Sequence, residues 1–154
     1  MTPAKLELFV SRWVKAPPAL VFRAFTEASL LERWFCPSAE TALHVDRCDP
    51  RPGGHYRFIF RFADGSVIPV LGEYLQVEPP RTLAFTWTWE KPNPWAGVVT
   101  LVTVHLVERD GGTDVRVHHA DFTASDMKEQ HEGGWPGTLE RLGRFLALPL
   151  KEDG

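Results

Sequence analysis

Two helix-forming segments, one from each end of the sequence, bracket a long run of strand and turn signals, and that bracket narrows the folds open to the chain. The first runs Ala16-Pro17-Pro18-Ala19-Leu20-Val21-Phe22 and continues into Leu31-Glu32-Arg33-Trp34-Phe35-Cys36-Pro37. The second is built on Gly133-Gly134-Trp135 with Leu139, Leu142 and Leu146. Between them hairpin follows hairpin, and several strands carry aromatic side chains on one face. A curved sheet with inward aromatics, closed by helices from both ends of the sequence, encloses space. Enclosed apolar space is where small molecules bind.

The local signals are these. Leu6, Leu8, Val10 and Val14 alternate with Glu7, Ser11 and Lys15 as a first strand, with Phe9 and Trp13 on its polar parity. Pro17 and Pro18 end it, and a proline just inside a helix start is tolerated because its missing N–H has no partner there. Val21, Phe22 and Phe25 mark one side of a short helix. Thr26 is expected to cap a second, carrying Leu30, Leu31 and Trp34, which Pro37 stops. Over 55–62, Tyr56, Phe58, Phe60 and Phe62 share one face. Asp64-Gly65 turns the chain into a strand over 67–77, and Glu78-Pro79-Pro80-Arg81 turns it again. There Leu83, Phe85, Trp87 and Trp89 alternate with Ala84, Thr86, Thr88 and Glu90. Strands over 98–108 and 113–121 meet at Asp110-Gly111-Gly112, and strands joined by tight turns pair antiparallel. The segment 41–47 has no assigned place in the sheet. Gly133, Gly134, Pro136 and Gly137 read as helix breakers. The expected C-terminal structure is therefore a short helical turn, opened by Asp126 and Glu129 as a loose capping box, then a main helix from about Pro136 to Leu148. Trp135, Leu139, Leu142 and Leu146 form one stripe that must face apolar surroundings.

Composition sets outer limits. At 154 residues the chain reads as one domain, 1–154, large enough to bury a core. Its net charge of -3 comes with no basic run, which argues against a nucleic-acid surface. No apolar stretch approaches the ~20 residues of a membrane span, and no signal-peptide core precedes the first strand. Cys36 and Cys48 match no metal or redox spacing, so reduced thiols and a cytoplasmic location are expected. Six Trp and ten Phe are the unusual feature, since such side chains either fill a core or line a cavity.

The chain resembles the activator of heat-shock-protein-90 ATPase homologue-like family, within the START-like (polyketide cyclase and lipid-transfer, SRPBCC) superfamily. The residues that carry the likeness are Ala16-Pro17 with Val21-Phe22, Trp34 with Pro37, Gly53-Gly54, Asp64-Gly65 and Gly72. It continues through Val77 with Pro79-Pro80, Gly112-Thr113 with Val115, Val117 and His119, and Gly134-Trp135 with Leu139 and Leu142. The resemblance implies an α+β helix-grip fold: a curved antiparallel β-sheet wrapped around a long C-terminal helix, with two short helices after the first strand. It implies an apolar cavity between sheet and helix. It implies no single activity, because the superfamily spans carriers, receptors and cyclases.

Within that cavity the expected ligand-binding residues are Trp34, Phe58, Phe60, Trp87 and Trp89, with Val104, Val117, His119, Trp135 and Leu139. His119 shares parity with Val115 and Val117 and is the best polar candidate, yet a lone base without an orienting partner rarely acts; no catalytic residue is assigned. His118 points the other way, and His44, His55, His105 and His131 show no ligand spacing, so no metal or cofactor is assigned either. Arg12 either anchors a ligand carboxylate or lets its stem snorkel from the strand end. Glu73 and Glu90 show no carboxylate pairing that argues for acid–base work. Binding of a small hydrophobic molecule, aromatic or acyl, is the leading function. An enzyme of cyclase or hydrolase type and a chaperone-ATPase activator stand behind it. A homodimer is left open.

Overall fold

The computed structural model describes residues 6–147. Strand β1 (Leu6–Val14) leads into helices α1 (Pro18–Thr26) and α2 (Ala28–Trp34). Six strands follow: β2 (Ala42–Cys48), β3 (His55–Arg61), β4 (Val67–Glu78), β5 (Thr82–Trp89), β6 (Thr100–Arg109) and β7 (Gly112–Phe122). Helix α3 (Ser125–Ala147) completes the described chain. All seven strands join one curved antiparallel sheet in the order β1-β7-β6-β5-β4-β3-β2. The chain thus crosses from one edge to the other through α1 and α2, then returns strand by strand until β7 meets β1. This is the helix-grip architecture, with α3 lying against the concave face nearest β1. Among the described residues no helix is long and apolar enough to cross a membrane.

Period-two patterning decides what faces inward. Tyr56, Phe58 and Phe60 on β3, Phe85 and Trp87 on β5, Val102 and Val104 on β6, and Val115 and Val117 on β7 are all buried. The 41–47 segment is β2, an edge strand that places Leu43 opposite Phe60. It reaches β3 through the 49–54 loop rather than a two-residue turn, so no hairpin signal announced the pairing. Strand β6 begins at Thr100 rather than Val98, because the Val98 N–H closes a turn onto the Trp95 carbonyl at 3.1 Å. In β4 a bulge between Tyr74 and Gln76 exchanges the parity, so that Tyr74 and Val77 both lie on the inner side.

Two glycines mark close approaches. Gly72 on β4 sits opposite Tyr56, whose hydroxyl passes over it to donate to the Thr86 carbonyl on β5 at 2.6 Å. A Cβ at Gly72 would lie 1.9 Å from that carbonyl oxygen. Gly137 on α3 rests on the main chain of Pro37, where a Cβ would come within 2.2 Å of the Pro37 oxygen.

The helices depart from expectation in two places. Thr26 does not cap α2; it ends α1, and its hydroxyl donates to the Phe22 carbonyl one turn back at 2.9 Å. Glu27 is the N-cap of α2 and makes no side-chain capping bond. Pro136 neither starts nor stops a helix, for α3 runs through it from Ser125. The proline removes one donor, but it and Glu132, whose carbonyl loses the partner, are both exposed, so the loss falls on the solvent side of the helix where it costs least. Trp135, Leu139 and Leu142 are buried on the inner face and Leu146 is half-buried. The expected end at Leu148 lies outside the described residues.

The glycines of α3 give opposite forecasts. Gly133→Ala, where a Cβ meets nothing, is expected to stabilise the protein by about 0.5–1 kcal/mol through helix propensity. Gly137→Ala is expected to destabilise it by about 1–3 kcal/mol, because α3 or the Pro37 segment must move. Urea midpoints of the two variants check this; equal shifts would show that α3 does not press on Pro37.

Candidate functional site

A cavity of about 160 Å³ lies between the sheet and the middle of α3. Phe60 and Trp87 form its sheet side, and Gly134, Trp135 and Thr138 its helix side. The Phe35-Cys36-Pro37 segment, carried inward by the end of α2, closes one end. The other end is less buried and is rimmed by Phe62, Ile68, Trp89, Asn93, Gln130 and His131. None of these lining residues is an Asp, Glu, Lys or Arg. A larger hollow of about 400 Å³ lies on the outward face of β1 and β7 by Phe9, His105 and Arg116, and shares no residue with this one.

Of the residues expected to bind ligand, Phe60, Trp87, Trp89 and Trp135 line the cavity. The other six lie in the surrounding core. Trp34 is fully buried and its indole N–H donates to the Ala24 carbonyl at 2.9 Å, which locks α2 onto α1. Phe58 stacks on Tyr56 at 4.6 Å in the tightly filled half of the core. Val104, Val117 and Leu139 are buried outside the lining, and His119 is buried behind Trp87 and Trp135. Arg12 is exposed with its guanidine stem against Gly143, away from the cavity. Glu90 pairs with Arg57 at 2.7 Å on the outer face.

Sequence reading missed His131, along with Phe35 and Thr138. The signal was present. His131 stands four residues before Trp135, and Met127 four before that, so the stripe of α3 extends backwards once Gly133, Gly134 and Pro136 are not taken as breaks.

Hydrogen bonds fix the protonation of both histidines. The Trp135 indole donates to His119 Nδ1 at 3.1 Å. An indole N–H can only donate, so Nδ1 carries no proton and Nε2 does. His119 Nε2–H therefore donates to Thr100 Oγ1 at 2.7 Å, and the Thr100 hydroxyl donates to the Trp87 carbonyl at 2.8 Å. The same logic holds across the cavity rim. Trp89 donates to His131 Nε2 at 2.9 Å, and His131 Nδ1–H donates to the Met127 carbonyl at 2.8 Å. The two imidazoles are 5.1 Å apart and their ring nitrogens are all engaged.

Burial, reinforced by the charges His131 and His118 would carry, holds the His119 pKa well below its ordinary 6.5. Burial lowers His131 too, with the Met127 carbonyl opposing. Burial also raises the Cys36 thiol, against the lowering influence of Arg141. The site is therefore neutral: two uncharged imidazoles, a protonated thiol and aromatic walls. Among the described residues no three His, Cys, Asp or Glu side chains converge as a metal site would require.

A histidine whose native pKa is depressed binds its proton more readily in the unfolded chain. Its contribution to stability is complete above about pH 6.5 and is lost as the pH falls from there toward the native value. Unfolding free energy should thus fall between pH 7 and 5 by up to about 1.4 kcal/mol per pH unit for each histidine. His131→Gln, which can still accept from Trp89 and donate to Met127, should make that slope shallower and leave the His119 contribution. A wild-type denaturation midpoint independent of pH over this range would show that the imidazoles take up protons without unfolding.

Comparison with known proteins agrees with this architecture. The family described as Activator of Hsp90 ATPase homolog 1-like protein matches residues 15–147. A crystal structure of a protein from Chromobacterium violaceum is 25% identical, with a TM-score of 0.79 over 90% of this chain and 95% of that one. One from Nitrosomonas europaea is 27% identical, with a TM-score of 0.76 over 91% and 93%. The AHSA1 protein of Silicibacter pomeroyi, 24% identical with a TM-score of 0.81 over 92% and 98%, shares the fold. No curated protein matches the sequence. With most of its length matched by that family and its sheet closed around α3 in the SRPBCC manner, the chain belongs to the Activator of Hsp90 ATPase homolog 1-like family.

Proposed function

We propose that this protein binds a small hydrophobic molecule in the cavity between the sheet and α3. One observation carries the proposal: an aromatic-walled space of about 160 Å³ without an Asp, Glu, Lys or Arg in its lining, open toward a rim that includes Asn93, Gln130 and His131. Pockets of this kind gain affinity from apolar contact and use a few polar groups for orientation. The family and the helix-grip fold support a hydrophobic-ligand cavity at this position. Binding is favoured over turnover by the state of the polar groups. Both histidines have committed their nitrogens to structure, and Cys36 is kept protonated by burial. A base or nucleophile would have to break one of these contacts before acting. The two free thiols support a cytoplasmic location, and the net charge of -3 without a basic stripe supports a protein that takes no nucleic acid.

Trp87, Trp89 and Trp135 report directly on the cavity. Titration with a panel running from alkylbenzenes and naphthalene to fatty acids is expected to change tryptophan emission saturably for at least one class. Phe60→Trp should weaken that compound about tenfold by narrowing the space, with the far-UV spectrum unchanged. A panel that leaves emission unaltered up to its solubility limits, together with an unliganded mass for protein purified from its own cells, would overturn the proposal.

A further inference from the structure

The two edges of the sheet are finished differently. On β2 the edge is closed: α2 lies beside it, the Glu32 carboxylate accepts the Val45 N–H at 2.8 Å, and the strand carries His44, Asp46 and Arg47. Cover and charge of this kind keep an edge strand from pairing with another chain. On β1 the outer face shows Phe9, Ser11 and Trp13, with Phe9 72% exposed and Trp13 37%. Phe9 stacks on His118 at 4.4 Å and the Trp13 indole donates to the Arg109 carbonyl at 2.8 Å, so both rings are fixed in place beside the edge. Among the described residues no strand pairs with β1 on its other side.

Alternation decides which main-chain groups are open there. The Val14 carbonyl points into β7, close against Gly112. Residues of an antiparallel strand turn their N–H and C=O groups to one side and the other by turns. Leu8, Val10, Arg12 and Val14 are therefore committed to β7, and Glu7, Phe9, Ser11 and Trp13 turn theirs outward. A second copy of β1 can bond this edge only where outward-turned residues meet each other. One such register is centred on Ser11. It sets Phe9 opposite Trp13 of the second copy, Glu7 opposite Lys15, and Ser11 opposite itself. Sliding one strand by two residues sets Glu7 against Trp13, or Phe9 against Lys15, and both matches are lost. On the inner face Arg12 falls opposite Val10 of the second copy, so the two guanidinium groups are staggered and do not oppose one another.

We infer that β1 is a dimerisation edge, through which two copies of this chain pair antiparallel about a two-fold axis at Ser11 and continue the sheet across the interface. A second copy fits better than an unrelated strand because this sequence supplies both halves of every pair, aromatic against aromatic and acid against base. Pairing through one strand of nine residues is a small contact, which places the association in the micromolar range. The cavity stands apart, since β1 contributes none of its lining.

Sedimentation velocity over about 1–500 µM protein is expected to show monomer giving way to dimer. Ser11→Pro, whose missing N–H faces away from β7, should abolish the dimer with the far-UV spectrum unchanged. Glu7→Lys should weaken it about tenfold by setting lysine against Lys15 at both ends of the pairing, and Glu7→Lys combined with Lys15→Glu should return it to within about threefold of wild type. Protein that stays monomeric throughout the range would overturn the inference. So would a dimer that survives Ser11→Pro, or a charge exchange that restores nothing, since either result puts the contact elsewhere. Should Ser11→Pro fail to fold, Ser11→Lys takes its place, because it sets two like charges face to face on the axis. A several-fold loss is then expected, and an unchanged dimer counts against the edge.

Discussion

Helix α3 is held to the sheet by two indole–imidazole hydrogen bonds that run in opposite directions. Trp135 on the helix donates to His119 on β7, and Trp89 on β5 donates to His131 on the helix. Both are largely or wholly out of water, where a hydrogen bond is stronger and an orphaned partner more costly. Turning or sliding α3 would strand four polar groups at once. The first bond also extends through Thr100 to the main chain of β5, so helix and three strands share one network. The ring orientations that frame the cavity follow from this reciprocal tie. Indoles anchored by their N–H groups are not free to rotate into the space between them.

The same composition produces a filled half and a hollow half of one core. Around Tyr56, Phe58, Tyr74 and Phe85 the remaining void is about 10 Å³. There α1 and α2 bring Phe25 and Leu31 down onto the sheet, and the Tyr56 hydroxyl is absorbed by β5 over Gly72. Around Phe60 and Trp87 the facing helix offers Gly134 and Thr138 beside Trp135, and rigid rings cannot stretch to fill the space. Phe35 joins the two halves, touching Trp34 and Phe58 on one side and Phe60, Trp87 and Trp135 on the other. Whether aromatic residues become core or cavity is decided here by what stands opposite them.

That distinction explains how far the sequence could be read. Strand parity was legible, because a period of two is enough to point Phe60, Trp87 and Val117 inward. Parity cannot separate a wall from a core, so Phe58, Val104 and Val117 look the same as Phe60 and Trp87. Turn residues announced the hairpins but said nothing of β2, which reaches its partner through a longer loop. Gly133, Gly134, Pro136 and Gly137 look like breakers when read locally, and their meaning is tertiary. Pro136 faces solvent, and Gly137 makes room for Pro37. Cutting the helix there hid His131, and with it the partner that makes sense of Trp89.

The contact of Gly137 with the Pro37 carbonyl has an evolutionary reach. It sets the depth of the grip by main chain resting on main chain, with no side chain whose length could be adjusted. The groups that give the cavity its contour come from separate places: Phe35 after α2, Phe60 on β3, Ile68 at the start of β4 and Asn93 beyond β5. Ile68 and Asn93, half-buried at the rim, can change without altering the seat of the helix. A lineage built on this arrangement can therefore exchange cargo by substitution at scattered single positions, while the frame that holds them passes on intact.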